Sequence, residues 1–249
     1  MGAYFEALKR AAQEQKSNAL QPVPYLEKRI ELFSPASRFS EIAPIWCQEL
    51  WLKLKLHSKD QKVKTILFTG TAEGNGCTTT IGIFSIYLAT KIQQRVLVLD
   101  FDFMKSEIGN FFKHDGTRSF FDIYRPISIQ NFDMFESNRR NLVVVTNDGR
   151  SFVEALAWLD TNHFEAFIQK ARNQFDYILI DSAPVALSLE TKILSSKVDA
   201  VILMLEAERS RRSVALRIKR NLEQSGAFIF GTIINKRRHY IPNWLYKRL

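Results

Sequence analysis

The residues Gly70-Thr71-Ala72-Glu73-Gly74-Asn75-Gly76-Cys77-Thr78-Thr79 stand between an apolar run and a helical pattern, where a chain can cradle an anion. A glycine-bearing loop in that position can wrap backbone N–H groups around an oligophosphate, and the helix start adds unpaired donors and a favourable dipole. Thr78 stands where a P-loop hydroxyl ligates Mg²⁺, and Thr79 can reach another phosphate. Measured against G-x-x-x-x-G-K-[ST], the lysine position is Cys77 and the first glycine position is Thr71. Cysteine supplies a short thiol instead of a permanent cation. Losing one charge-assisted contact costs on the order of 1.5–3 kcal/mol, and more where a transition state depends on it. A thiol beside a helix N-terminus is expected to ionise more easily than usual. Taken alone, the loop also fits a glycine-rich turn with no ligand.

Three aspartates give the loop its context. Asp100 and Asp102 close the apolar run VLVLDFDF, and Asp181 closes FDYILID, the place of a Walker B acid. An acid ending one buried strand is often a helix cap or loop residue. Three such acids, each at a strand's C-terminal end, converge with the glycine loop on one rim, where α/β sheets bind ligands. Acids placed there can hold Mg²⁺ directly or through water.

The elements that must position these residues follow from hydrophobic patterning. Apolar runs at 63–69, 96–100, 142–146, 177–181, 200–205 and 228–235 lack alternation, as strands buried on both faces do. Helical patterns lie between them near 78–93, 152–173, 187–196 and 210–224. This alternation predicts βαβ crossovers and a doubly wound, mainly parallel α/β sheet with helices on both faces. Ahead of it, 41–56 reads as a helix, and 1–17 as an amphipathic helix followed by a polar, proline-bearing linker. The expected organisation is an N-terminal helical docking segment (1–60), a P-loop ATPase-like domain (61–236) and a basic-aromatic tail (237–249).

The 249 residues suit one large domain. No apolar h-region opens the chain, and no stretch has the roughly 20 apolar residues needed to cross a bilayer. Cys47 and Cys77 cannot build a disulfide framework or a structural zinc site. A cytosolic setting is therefore expected. The net charge of +9 is concentrated near the C-terminus, where residues 209–249 hold 11 Lys or Arg and the single acid Glu223. Such a block is either a solvated face or a docking surface for an anionic partner. In the tail, Tyr240, Ile241, Trp244, Leu245 and Tyr246 alternate with Arg237, Arg238, Lys247 and Arg248, which suits an anionic membrane surface or a latch on the domain. No groove-reading module is recognisable, so nucleic acid is not the expected partner.

In order, VKTILFTGTAEGNGCTTT, RVLVLDFDFMKSEIG, NLVVVTNDG, FDYILIDSAPVALSLET, VDAVILMLEAERSRR and GTIINKRR resemble the cytoplasmic ATPase domains of bacterial tyrosine kinases of capsule and exopolysaccharide synthesis. These kinases are related to the MinD/ParA ATPases. The resemblance covers about 63–238 and implies a P-loop fold, ATP or ADP with Mg²⁺, and a membrane polysaccharide co-polymerase as partner, with self-association possible. By position it implies that Gly74, Asn75, Gly76, Cys77, Thr78 and Thr79 surround phosphates. Thr78, Asp100 and Asp181 would serve the metal, Asp102 would activate the attacking hydroxyl, and Asn235 would read the adenine. A strand-end turn role for Asn235 stays open.

The departures are equally definite. Besides Cys77, there is no lysine near Ala72, no C-terminal tyrosine cluster, and ELWLKLK where the family's ring-forming E-x-x-R-x-x-R belongs. The expectation is a cytoplasmic component peripheral to the inner face of the membrane, kinase-like in fold but impaired in catalysis, regulating or scaffolding polysaccharide synthesis. Two alternatives remain: an active kinase or ATPase drawing its cation from the Arg209–Arg212 region or a neighbouring subunit, and a MinD/ParA-like positioning ATPase.

Overall fold

In the computed structural model, the described residues are 43–57, 63–112, 141–147, 156, 159 and 162–237. The N-terminal helix and linker expected at 1–24 and the tail beyond 237 lie outside the described residues. Six strands form one sheet: β1 (Thr65–Gly70), β2 (Val96–Phe101), β3 (Leu142–Val145), β4 (Tyr177–Ser182), β5 (Ala200–Glu206) and β6 (Ile229–Asn235). Their spatial order is β3-β2-β4-β1-β5-β6, and every pairing is parallel. Strands β1 to β4 are buried at every position, which explains why their sequences run apolar without alternation.

Two cores follow from the pleat. One face of the sheet, with Leu67, Leu99 and Ile180, packs against α4 (His163–Gln174), α5 (Leu189–Ser195) and α6 (Arg212–Gln224). The other face, with Ile66, Phe68, Val98 and Leu179, packs against α1 (Ala43–His57), α2 (Cys77–Thr90) and α3 (Ile108–Phe112). Helices on both faces of a parallel sheet make the doubly wound architecture the sequence predicts. Helix α1 joins this core through Cys47, Trp51 and Leu54, and no helix among the described residues is long and apolar enough to cross a membrane.

The same pleat aims the acids. Val96, Val98 and Asp100 share the α2 face of β2, as Tyr177, Leu179 and Asp181 do on β4. In register, Asp100 lies opposite Asp181. Behind them, the short helix α3, which the sequence reading missed, seals the acid-bearing loop onto α2. There a Cβ added at Gly82 would come within 2.2 Å of the Phe111 ring.

That close approach makes a test. Alanine at Gly82 should gain roughly 1 kcal/mol of helix propensity. Displacement of Phe111 should outweigh it, so chemical denaturation of Gly82→Ala should show a net loss of about 1–3 kcal/mol. A stabilised variant would show that α3 yields freely.

Candidate functional site

The loop after β1 requires its glycines. A Cβ at Gly70 would lie 2.9 Å from the Ala72 carbonyl oxygen and 3.0 Å from Asn75 Oδ1. Gly74 and Gly76 hold φ of 74° and 89°, left-handed values that side chains resist. Asn75 ties the loop from inside: its Oδ1 accepts from Ala72 N at 2.9 Å and Thr71 Oγ1 at 3.1 Å. Thus the Asn75 side chain, at 2% exposure, is a loop strut. Gly76 is the N-cap of α2 and no side chain caps that end, so the first turn presents donors suited to an anion. Gly74, Gly76, Cys77, Thr78 and Thr79 all line one cavity of about 950 Å³, together with Asp102 and Asp181.

The carboxylates meet that loop directly. Thr78 Oγ1 donates to Asp181 Oδ2 at 2.6 Å, and Asp181 Oδ1 is buried with no hydrogen-bond partner among the described residues. Burial, and then the charge of Asp100, hold the Asp181 carboxyl well above the usual range, against the Thr78 hydrogen bond. Asp100 Oδ2 accepts from Ser106 Oγ at 2.6 Å and its Oδ1 accepts from Asp102 N at 3.1 Å. Burial nevertheless pushes it up to about 7. Asp102 is half-buried, with Oδ1 accepting from Met104 N and Lys105 N at 3.0 and 2.9 Å. Its carboxyl is also raised, chiefly by burial.

Cys77 reverses one expectation. Its thiol is pushed well above its usual range by burial first, then by Asp181 and Asp102. The acids and desolvation defeat the helix dipole, so position 77 carries a neutral group. Asn235, the implied adenine reader, lines the same cavity. Its Nδ2 donates to the Asn75 carbonyl oxygen at 3.0 Å and fastens β6 to the phosphate loop.

Sequence reasoning missed several members. Ser106 holds Asp100, and Asn147 Nδ2 donates to the Asp102 carbonyl oxygen at 2.9 Å. Glu190, at 2% exposure, adds to the field that raises Asp102. Lys236 also lines the cavity, and its position one residue beyond the strand-end Asn235 was the available signal.

The arrangement suits a hydrated divalent cation carrying a polyphosphate. Among the described residues, no group of three His, Cys, Asp or Glu could hold a metal alone. A magnesium ion bound through one or two carboxylates, with waters and phosphate completing its shell, needs no such cage. The orphaned Asp181 oxygen, the Thr78 hydroxyl and the uncapped helix end fit that mode.

Sheet order, loop and strand-end acids together define a P-loop NTPase-type α/β protein. Within that class, the resemblance to bacterial tyrosine kinases of capsule and exopolysaccharide synthesis is shown by similarity to tyrosine-protein kinase CpsD of Streptococcus agalactiae. The two are 28% identical over 209 residues, covering 84% of this chain and 90% of that protein. The kinase domain of Escherichia coli tyrosine kinase ETK superposes with a TM-score of 0.73 at 16% identity, over 88% of this chain and 86% of that one. The septum site-determining protein MinD of Pyrococcus horikoshii, complexed with Mg-ADP, matches with a TM-score of 0.57 at 19% identity, over 75% and 76% of the two chains. No family model matches the chain.

The raised Asp100 carboxyl has a measurable consequence. A folded-state value near 7 against an ordinary 3.8 means the folded protein holds an extra proton between those limits. Its contribution to stability is therefore intact below about pH 4 and falls as pH rises through about 7. In metal-free, nucleotide-free melts, Asp100→Asn should gain on wild type as pH rises from 5 to 8, reaching about 1–4 kcal/mol. A difference that stays constant with pH would contradict the assignment.

Proposed function

We propose that the chain is a kinase-like component of capsule or exopolysaccharide synthesis that binds Mg-nucleotide but transfers phosphoryl groups poorly, and acts as a regulatory or scaffolding subunit. The observation that carries this reading is Cys77: a neutral thiol stands at the lysine position while the strand-end acids, Gly74, Gly76 and Thr78 around it are present. When bound, the nucleotide would supply an electrophilic phosphoryl group. Gly74, Gly76 and the first turn of α2 would cradle its phosphates with backbone donors. Thr78, Asp100 and Asp181 would hold Mg²⁺, the latter two giving up their proton as the cation arrives. Asp102 would face an attacking hydroxyl.

Binding and transfer separate on physical grounds. Backbone donors stabilise a ground-state phosphate without lysine, whereas transfer needs added stabilisation of the charge that develops at the transferred group. Similarity to CpsD-type kinases supports a place in polysaccharide synthesis, with a membrane co-polymerase as partner and a location at the inner face of the membrane. The basic-aromatic sequence of 237–249 would add contact with anionic lipid.

The test uses the purified full chain. Wild type with Mg-ATP should give no phosphotyrosine, and Cys77→Lys should bind Mg-ATP at least ~10-fold more tightly by calorimetry. Robust autophosphorylation by wild type would overturn the impaired reading. Absence of Mg-nucleotide binding in both proteins would overturn the nucleotide site itself.

A further inference from the structure

Loss of the lysine at 77 leaves a question of charge. Asp102, Asp181, Glu73 and Glu107 all line the cavity, so a polyphosphate entering it meets acids on several sides. A compensating cation must stand on the glycine-loop side, away from the carboxylates that face the metal. Lys236 occupies that place. Its Nζ lies 4.0 Å from where a Cβ on Gly74 would sit, and the residue forms part of the cavity wall.

The backbone places it there deliberately. Lys236 has φ of 57°, a left-handed value that costs a lysine energy and persists only where its surroundings enforce it. The enforcing group is Asn235. Its Oδ1 accepts from Lys236 N at 2.8 Å while its Nδ2 donates to the Asn75 carbonyl oxygen. One amide thereby sets Lys236 beside the loop. The ammonium now rests 3.3 Å from Glu206 Oε2, which also receives Arg209 Nη1 at 3.4 Å. Lys236 can leave this pair without stranding Glu206, since Arg209 remains.

Lys53, exposed on α1, and Lys105 also wall the cavity, but among the described residues only the Lys236 ammonium comes within 4.0 Å of a Cβ placed on Gly74. Lys105 lies on the acid side, with its backbone N on Asp102 and its Nζ 2.5 Å from Glu107. Arg209, in the stretch the sequence offered as a cation source, is not among the residues that wall the cavity. We propose that Lys236, delivered by the end of β6, supplies the phosphate-binding cation that position 77 lacks. The ligand class is a nucleoside di- or triphosphate with Mg²⁺, so the inference rests on the nucleotide-binding reading above. It assigns Lys236 a part in holding the ground state at the Gly74 side of the loop.

Calorimetric titration of the full chain tests it, with Mg-ADP as probe and adenosine as the phosphate-free control. Lys236→Ala should weaken Mg-ADP by ~10-fold or more while leaving adenosine unaffected. Lys236→Arg should bind within about threefold of wild type, and Cys77→Lys in the Lys236→Ala background should restore affinity. Melting of unliganded Lys236→Ala should match wild type, since an exposed ion pair adds little. Equal Mg-ADP affinities for wild type and Lys236→Ala would overturn the role of Lys236 and leave the nucleotide site standing. A parallel loss of adenosine would overturn it too, by tracing the effect to the shape of the site. Wild type that fails to bind when Cys77→Lys binds would overturn Lys236 as a compensating cation and, with it, the reading that the wild-type chain binds Mg-nucleotide. Failure of both proteins would overturn the nucleotide site as well.

Discussion

Two carboxyl groups face each other across adjacent parallel strands at the sheet's C-terminal edge, each about 1% exposed. Like charges in that setting cannot both ionise cheaply, because burial removes water while each opposes the other. The surrounding structure is arranged around this difficulty. Thr78, from the first turn of α2, donates to Asp181, and Ser106, on the loop before α3, donates to Asp100. In the unliganded protein the remaining imbalance is met by protonation. A divalent cation would relieve it more completely, which supports the proposal that the pair serves a metal.

That constraint reaches outward through the fold. The alternation of β2 and β4 must bring both acids to the α2 face, and the register must match them. Phe68 and Leu179 belong to the apolar cluster on the same face of the sheet, so the carboxyls stay desolvated. The cradle above depends on a second fastening, from Asn235 across the sheet to the Asn75 carbonyl oxygen. Loop, acids and the last strand are thus one hydrogen-bonded unit, although their residues span positions 70 to 236.

Much of this was legible in the chain. Fully buried parallel strands write themselves as unbroken apolar runs, so all six were found near their observed ends, and the glycine loop and aspartates fell at the right strand termini. What escaped depends on tertiary geometry. The five-residue α3 is too short for periodicity to register. Ser106 and Asn147 are ordinary loop residues until the fold brings them to Asp100 and Asp102. Asn75, placed by the resemblance among the residues around the phosphates, lines the cavity and braces the loop through Oδ1, while its buried Nδ2 has no hydrogen-bond partner among the described residues; sequence spacing carries no information on the bracing role. Cys77 illustrates the same limit in electrostatics, since its position in the chain favours ionisation and its buried acidic neighbours oppose it.

A thiol among acids also explains how the site can tolerate its own departure from the P-loop pattern. A lysine at 77 would sit beside Asp181 and Asp102 and neutralise part of their charge even without ligand. With cysteine there, burial and neighbouring carboxylates raise the Asp181 and Asp102 carboxyls, and no cation at position 77 offsets them. The cation has in effect moved to the far side of the loop, where Lys236 rests on Glu206 until an anion competes for it. Such an arrangement favours holding a nucleotide over cleaving it, because the relocated charge flanks Gly74 and does not stand at position 77, where the P-loop pattern aims its lysine at the β- and γ-phosphates.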